Sequence, residues 1–260
     1  MDSEILYVRS EWQGVAWAEI TLNRPAKGNA LTLPMLERLD ALVSEITTDR
    51  DLRAVVLKGS GRYFCTGGDI EAWGGLTPNE MGQKWILRGI EIFDRIASLP
   101  QPVIAAIGGH ALGGGLELAL AADLRVAVRE AKLGTPEVTL GMIAGWAGVR
   151  RLAETIGVAR ARHLTLLGSA ISAEQALDWG LLTALADDAP GLDVQVAQWL
   201  EHLLANGPIA MALTKGLLKT MHQDMRQAFA SAAAHATATE DCREGVRAFV
   251  EKRKPVFRNR

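Results

Sequence analysis

The chain has 260 residues, 48% of them hydrophobic, and a formal net charge of −2. That is enough for one large domain with a buried core, or a domain plus an appendage. The charge balance excludes a global basic field for nucleic acid or an anionic membrane surface, and no charge-free run of about 20 apolar residues offers a membrane span.

Residues 1–10 carry acids and no long apolar stretch, so no secretory signal is expected. Residues 15–22, Val-Ala-Trp-Ala-Glu-Ile-Thr-Leu, pattern as a strand that Asn23-Arg24-Pro25 closes as a turn. A helix is predicted over 34–44, with Leu36, Leu39, Leu42 and Val43 on one face. Residues 54–57 are wholly apolar and read as a buried strand, broken by Gly59-Ser60-Gly61. A brief strand at 63–65 runs into Thr66-Gly67-Gly68-Asp69. Residues 71–82, with Gly74, Gly75, Pro78 and Gly82, read as a loop. Helix is expected over 84–99, buried strand over 102–107, helix over 116–122 and strand over 124–128. Strands alternating with helices argue for an α/β fold with mainly parallel strands. Strand signals stop after about residue 186. Helical patterns follow at 192–206, 208–221 and 224–252. The division expected is a core over 1–190 and a helical region over 191–260. Cys65 and Cys242 lie far apart without metal-type spacing, which fits a reducing compartment and a soluble cytoplasmic protein.

Four segments carry potential chemistry. Gly113-Gly114-Gly115 leaves bare backbone where a helix is about to begin, and Glu117 follows among apolar Leu116, Leu118, Ala119 and Leu120. Bare N–H groups at a helix start can hold developing negative charge. A glutamate in apolar surroundings needs a partner or a task, and its raised pKa suits it to moving protons. The second segment, Phe64 to Ile70, is a strand end, a glycine turn and an acid able to cap a helix. The third, Gly134-Thr135-Pro136-Glu137, is by itself an ordinary turn with a second carboxylate. The fourth, 141–148, is a glycine-rich loop opening a helix and could bind phosphate. It is not a P-loop, since no Lys-Ser/Thr follows, and it lacks the dinucleotide fingerprint. There is no Gly-x-Ser-x-Gly elbow, and the five histidines show no zinc spacing. His110, beside the glycine loop, reads as a structural or pocket-wall residue.

In this order and spacing the segments resemble the crotonase (enoyl-CoA hydratase/isomerase) superfamily. The resemblance rests on Asn23-Arg24-Pro25 with Asn29-Ala30-Leu31, on Phe64 to Ile70, on 102–106 with Gly113 to Glu117 and Asp123, and on Gly134 to Glu137 with Leu140-Gly141. It also includes the ending, from Glu244-Gly245 to Lys254-Pro255. It covers nearly the whole chain. It implies an α/β spiral of ββα units and a C-terminal helical region used in trimerisation, with assembly as a trimer or a dimer of trimers. It implies an acyl-CoA thioester substrate, with coenzyme A part of that substrate and no separate cofactor or metal. The thioester oxygen would be held by the N–H groups of Gly68 and Gly114. Coenzyme A would contact Ala26, Lys27 and Gly28, then Cys65, Thr66 and Gly67, and Lys254. Glu117 and Glu137 match the two glutamates of the family's hydratases, which implies hydration of an enoyl thioester. Isomerisation or hydrolysis on acyl-CoA is the alternative, and a non-catalytic RNA- or partner-binding homologue a remote one.

Three departures from the family pattern matter. Residues 143–148 read Ile-Ala-Gly-Trp-Ala-Gly, with Ala144 where proline is usual and Trp146 where a small residue is usual. Trp146 either reshapes the acyl pocket or folds into the core. Glu71 stands where a CoA-binding lysine is common, so the usual phosphate contact is either lost or supplied by Arg24, Arg62 or Lys254. Trp73, Met81, Trp85 and Ile86 lie where the acyl chain is covered, which points to an apolar acyl group, branched or cyclic, with Trp73, Trp85 and Trp146 as the pocket.

Overall fold

A computed structural model describes residues 3–219 and 239–260. The chain opens with a hairpin, β1 (Ile5–Trp12) and β2 (Val15–Leu22), paired antiparallel from Ile5–Leu22 to Trp12–Val15. Gln13 and Gly14 both take positive φ, 53° and 77°, as a tight hairpin turn of matching twist requires. The sequence reading places no strand before Val15. Only Ile5 of β1 is fully buried, so its apolar pattern is weak, and the edge is defined by pairing with β2.

Helix α1 (Leu33–Thr48) buries the apolar stripe from Met35 to Ile46 and starts at Thr32, whose hydroxyl accepts the Met35 N–H. It leads to β3 (Leu52–Gly59), then β4 (Tyr63–Cys65). Strands β5 (Val103–Ile107), β6 (His110–Leu112), β7 (Leu124–Val128), β8 (Lys132–Gly134), β9 (Ala170–Ser172) and β10 (Ala184–Ala186) complete two sheets. One has the order β1-β2-β3-β5-β7-β10, parallel beyond the hairpin; the other runs β4-β6-β8-β9, parallel except β9. Every side chain of β5 is buried, because helices or the second sheet cover both of its faces.

Residues 71–82, expected as a loop, are mostly helical. Helices α2 (Ile70–Trp73) and α3 (Pro78–Glu80) flank Gly74-Gly75, a π-helical turn spans Met81–Ile86, and α4 (Leu87–Ala97) continues it. A capping box starts this run: the Thr77 hydroxyl accepts the Glu80 N–H, and Glu80 accepts the Thr77 N–H. Helix α5 (Gly114–Ala119) is buried throughout, and α6 (Gly148–Ile156), α7 (Val158–Leu167) and α8 (Ala173–Asp178) lie between β8 and β10.

After β10 come α9 (Ala189–Ala205), α10 (Pro208–Lys219) and α11 (Glu240–Glu251). Leu192, Val196, Leu200 and Leu204 bury one face of α9, which packs on β3, β5 and β7. Helix α9, which spans the expected boundary at residue 190, is therefore a layer of the core. The predicted helix over 224–252 lies partly outside the described residues; its described part is α11. Among the described residues no helix is long and apolar enough to cross a membrane.

Asn29 is the pin between the first two segments of the motif set. It is buried at φ 57°. Its Oδ1 accepts the Arg24 N–H at 2.8 Å, and its Nδ2 donates to the carbonyls of Ser60 at 2.9 Å and Tyr63 at 2.7 Å. Asparagine tolerates the left-handed region better than most residues. Asn29→Ala would orphan these groups and strain the backbone, so it should destabilise the fold by about 2–4 kcal/mol, read as a lower urea midpoint. An unchanged midpoint would refute this role.

Candidate active site

The site forms where β4 and β6 end. The Leu31 N–H donates to the Gly67 carbonyl and the Asp69 N–H donates to the Leu31 carbonyl, each at 2.8 Å. These bonds skip the Gly68 N–H. Asp69 is fixed by Arg24 Nη1 at 2.9 Å and caps α2 by accepting the Glu71 N–H at 3.0 Å. Gly67 has φ 108°, open to glycine but strained for other residues. Across from it, the Gly113 N–H donates to the Gly134 carbonyl at 2.9 Å, and Gly113 turns at φ 54° into α5. A Cβ on Gly115 would lie 2.1 Å from the Cys65 carbonyl oxygen. The glycine triplet thus lets α5 start against the end of β4.

The amides of Gly68 and Gly114 stand side by side. A Cβ on Gly114 would lie 3.4 Å from the Gly68 nitrogen, and one on Gly67 would lie 3.1 Å from the Gly114 nitrogen. Neither N–H donates to a turn, loop or cap acceptor among the described residues. Both residues line a cavity of about 50 Å³ that Glu117, Glu137, Trp85 and Trp146 also line.

Glu117 is 2% exposed. Its Oε1 accepts the N–H groups of Trp146 at 2.8 Å and Gly148 at 2.7 Å, so the carboxylate caps the start of α6. Burial pushes its carboxyl up to about 7, the two amides oppose this, and the charge of Glu137 adds to it. Glu137 follows β8 in a short 3₁₀ turn, and both its carboxylate oxygens are buried without a hydrogen-bond partner. Burial raises its pKa as well. Its Oε1 would lie 2.9 Å from a Cβ on Gly113, which places the carboxyl against the glycine loop. Two proton-carrying groups and two unused amides thus share one small space. Loop 141–148 does not provide the phosphate site that its glycines suggested, because Glu117 already occupies the N–H groups at the start of α6.

Trp146 both packs in the core and lines the cavity. Its ring lies 5.2 Å from Trp85 and 5.3 Å from Phe93, centroid to centroid. Its Nε1–H donates to the Trp85 carbonyl at 3.0 Å, and its own carbonyl accepts from Arg151 Nη1 at 3.0 Å. Arg151 Nη2 also donates to Asp94 at 2.6 Å, tying the loop to α4. Trp73, half-buried, donates from Nε1 to the Gly68 carbonyl at 3.4 Å.

Ala26, Lys27 and Gly28 form a short turn beside Thr66, whose N–H donates to the Gly28 carbonyl at 3.0 Å. Lys27 is paired with Glu71, Nζ to carboxylate at 3.1 Å. Cys65 is fully buried, backbone included, and its thiol is pushed up to about 12 by burial, so the residue packs under the turn and does not present a surface to a ligand. Arg24 is committed to Asp69 and Glu4, while exposed Arg62 lies over the Tyr63 ring. Within a single chain Lys254 is not brought to these segments. It belongs to the C-terminal tail, whose Phe257 carbonyl accepts from Arg53 Nη2 and whose Asn259 donates to the Arg50 carbonyl. Those contacts lie at the start of β3, about 20 Å along the strand from its end at Gly59. His110 accepts the Lys132 N–H through Nδ1 and stacks edge-on against Tyr63, a structural setting away from the cavity. Gly89 and Phe93 were not anticipated from sequence; a lone glycine inside the α4 pattern was the available signal of close packing.

Residues 13–260 match the family model for enoyl-CoA hydratase/isomerase. The chain belongs to this family. A Bacillus subtilis relative named "Probable enoyl-CoA hydratase" is 38% identical over 245 residues, covering 93% of this chain and 95% of the relative. The short-chain-enoyl-CoA hydratase of Clostridium acetobutylicum is 35% identical, covering 94% of this chain and 95% of its own. An enoyl-CoA hydratase structure from Bacillus anthracis superposes with a TM-score of 0.92 at 34% identity, over 99% of this chain and 100% of that one. The fold is therefore the crotonase fold.

Proposed function

We infer that the protein is an enoyl-CoA hydratase, adding water across the 2,3 double bond of an enoyl-CoA thioester. The observation that carries this reading is the convergence of Glu117 and Glu137 on one cavity beside two unused amides. A water between the carboxyl groups adds its hydroxyl to C3 and a proton reaches C2, one glutamate acting as base and the other as acid. The thioester oxygen gains negative charge as this happens, and the Gly68 and Gly114 N–H groups are placed to stabilise it. Gly114 also presents the positive end of the α5 dipole. Proton transfer and an oxyanion hole account for the chemistry, so the coenzyme A carried on the substrate is the only such group the reaction calls for.

Ala26, Lys27, Gly28, Thr66 and Gly67 form the proposed coenzyme A contact, with Arg62 as the nearby exposed cation. Incubation with crotonyl-CoA tests the function directly: hydration yields a product heavier by one water, whereas isomerisation of a 3-enoyl-CoA leaves the mass unchanged. Absence of the water adduct would refute hydration. Self-association as a trimer or dimer of trimers is part of the same proposal. Helix α10 buries none of its residues within a single chain, and a groove of about 800 Å³ beside it includes Leu120, Leu203, Met211 and Leu218. A monomeric mass in solution would refute it.

A further inference from the structure

The acyl side of the cavity ends on aromatic carbon. Trp146 is 3% exposed and touches two glycines that leave it no slack. A Cβ on Gly114 would lie 2.4 Å from its Cζ3, and a Cβ on Gly89 would lie 2.3 Å from its Cδ1 and Nε1. The indole therefore fills the space from the oxyanion corner to α4. It is held there by the Nε1–H bond to the Trp85 carbonyl, which any ring rotation would break inside a buried site. Trp85 closes the neighbouring wall, with its Cζ2 2.8 Å from the position of a Cβ on Gly68.

The free volume left is about 50 Å³. That is well below the roughly 150 Å³ cavity that accommodates a benzene ring. An aryl or ring-bearing acyl group therefore has no room beside Trp146 and would have to leave past Met142 and Ile143.

We propose that Trp146 sets acyl length in this protein, so that the substrate class is short, unbranched 2-enoyl thioesters. The proposal rests on the enoyl-CoA reading above. With C1 at the Gly68 and Gly114 amides, C2 and C3 lie between Glu117 and Glu137. Carbons beyond C4 meet Trp146, Trp85 or Ile86. The remaining wall is Trp73, Gly145, Met142 and Ile143, the last 67% exposed. A chain leaving past Met142 and Ile143 would bypass the indole.

The test measures kcat/KM for trans-2-enoyl-CoAs of four, six and eight carbons and for cinnamoyl-CoA, in the parent, Trp146→Ala and Trp146→Phe. Binding of unreactive butyryl-CoA and octanoyl-CoA is measured by calorimetry alongside. The parent should lose at least about tenfold from four to six carbons and more at eight, since one methylene in a tight pocket is worth roughly 10- to 200-fold. Trp146→Ala should raise the eight-to-four-carbon ratio at least about tenfold, and octanoyl-CoA should gain affinity relative to butyryl-CoA. Trp146→Phe should fall between, which guards against misfolding of the alanine variant. Equal parental rates on four and eight carbons would overturn the proposal, as would a ratio unmoved in both variants. If no enoyl-CoA is hydrated yet butyryl-CoA outbinds octanoyl-CoA and Trp146→Ala reverses this, the hydratase reading falls and the closed pocket stands.

Discussion

Glu117→Gln and Glu137→Gln should each lower kcat for crotonyl-CoA hydration by at least about a hundredfold, the usual minimum for loss of a general acid or base. Glutamine preserves volume. At position 117 its amide oxygen can still accept the Trp146 and Gly148 N–H groups, so the fold of the loop survives and the loss isolates proton transfer. Hydration within tenfold of the parent in either variant would sink the two-carboxylate mechanism.

The same residue ties activity and stability to pH. Burial holds the Glu117 carboxyl at about 7 in the folded protein, against 4.5 ordinarily. A step in kcat/KM near pH 7 is expected, and Glu117→Gln should remove it. Between pH 4.5 and 7 the native state keeps a proton that the unfolded chain releases, so this group makes stability fall as pH rises. The slope is at most about 1.4 kcal/mol per pH unit. Urea midpoints at pH 5 and pH 8 should show Glu117→Gln gaining on the parent at the higher pH; a constant difference would mean that the buried carboxyl does not titrate in this window.

Gly114→Ala should be nearly as damaging, costing about 10²–10³ in kcat, the scale of losing one oxyanion donor. The new Cβ would sit 2.4 Å from Cζ3 of Trp146 and 3.4 Å from the Gly68 nitrogen, so either the indole or the amide must move. Combining it with Trp146→Ala removes the harder contact, and the penalty of the alanine should then shrink markedly. Parental hydration by Gly114→Ala alone would remove this amide from the proposed mechanism.

The residues legible in the sequence were those whose backbone geometry permits little substitution. The glycine triplet, Gly67-Gly68 and the two glutamates stand where their pattern places them, because α5 can start against Cys65 only through glycine and because an acid among leucines needs a reason. Strands β3 and β5 of the parallel sheet were legible as unbroken apolar runs, whereas β10, three residues long, carries too short a pattern to be read. Less visible was structure defined by partners distant in the chain. Strand β1 needs β2 to define it, and the helical run over 70–86 is masked by Gly74-Gly75, although Thr77 and Glu80 carry its capping signal. The hydrogen bonding of Glu117 was hidden because its donors are backbone amides about 30 residues away, which no side-chain pattern announces. Lys254 shows that a position carried over by motif need not meet its site within one chain: its spacing fits, and the tail that bears it docks at the opposite end of β3 of its own chain.

Gly89 and Trp146 also constrain the order in which this pocket could change over generations. A Cβ at position 89 would fall inside the indole, so every single step away from glycine there meets a steric barrier while Trp146 is present. Once Trp146 is replaced by a small residue, position 89 is free to vary and can refill the vacated space from the opposite wall. The path to a wider or reshaped acyl pocket therefore has a direction, with position 146 changing first and position 89 following.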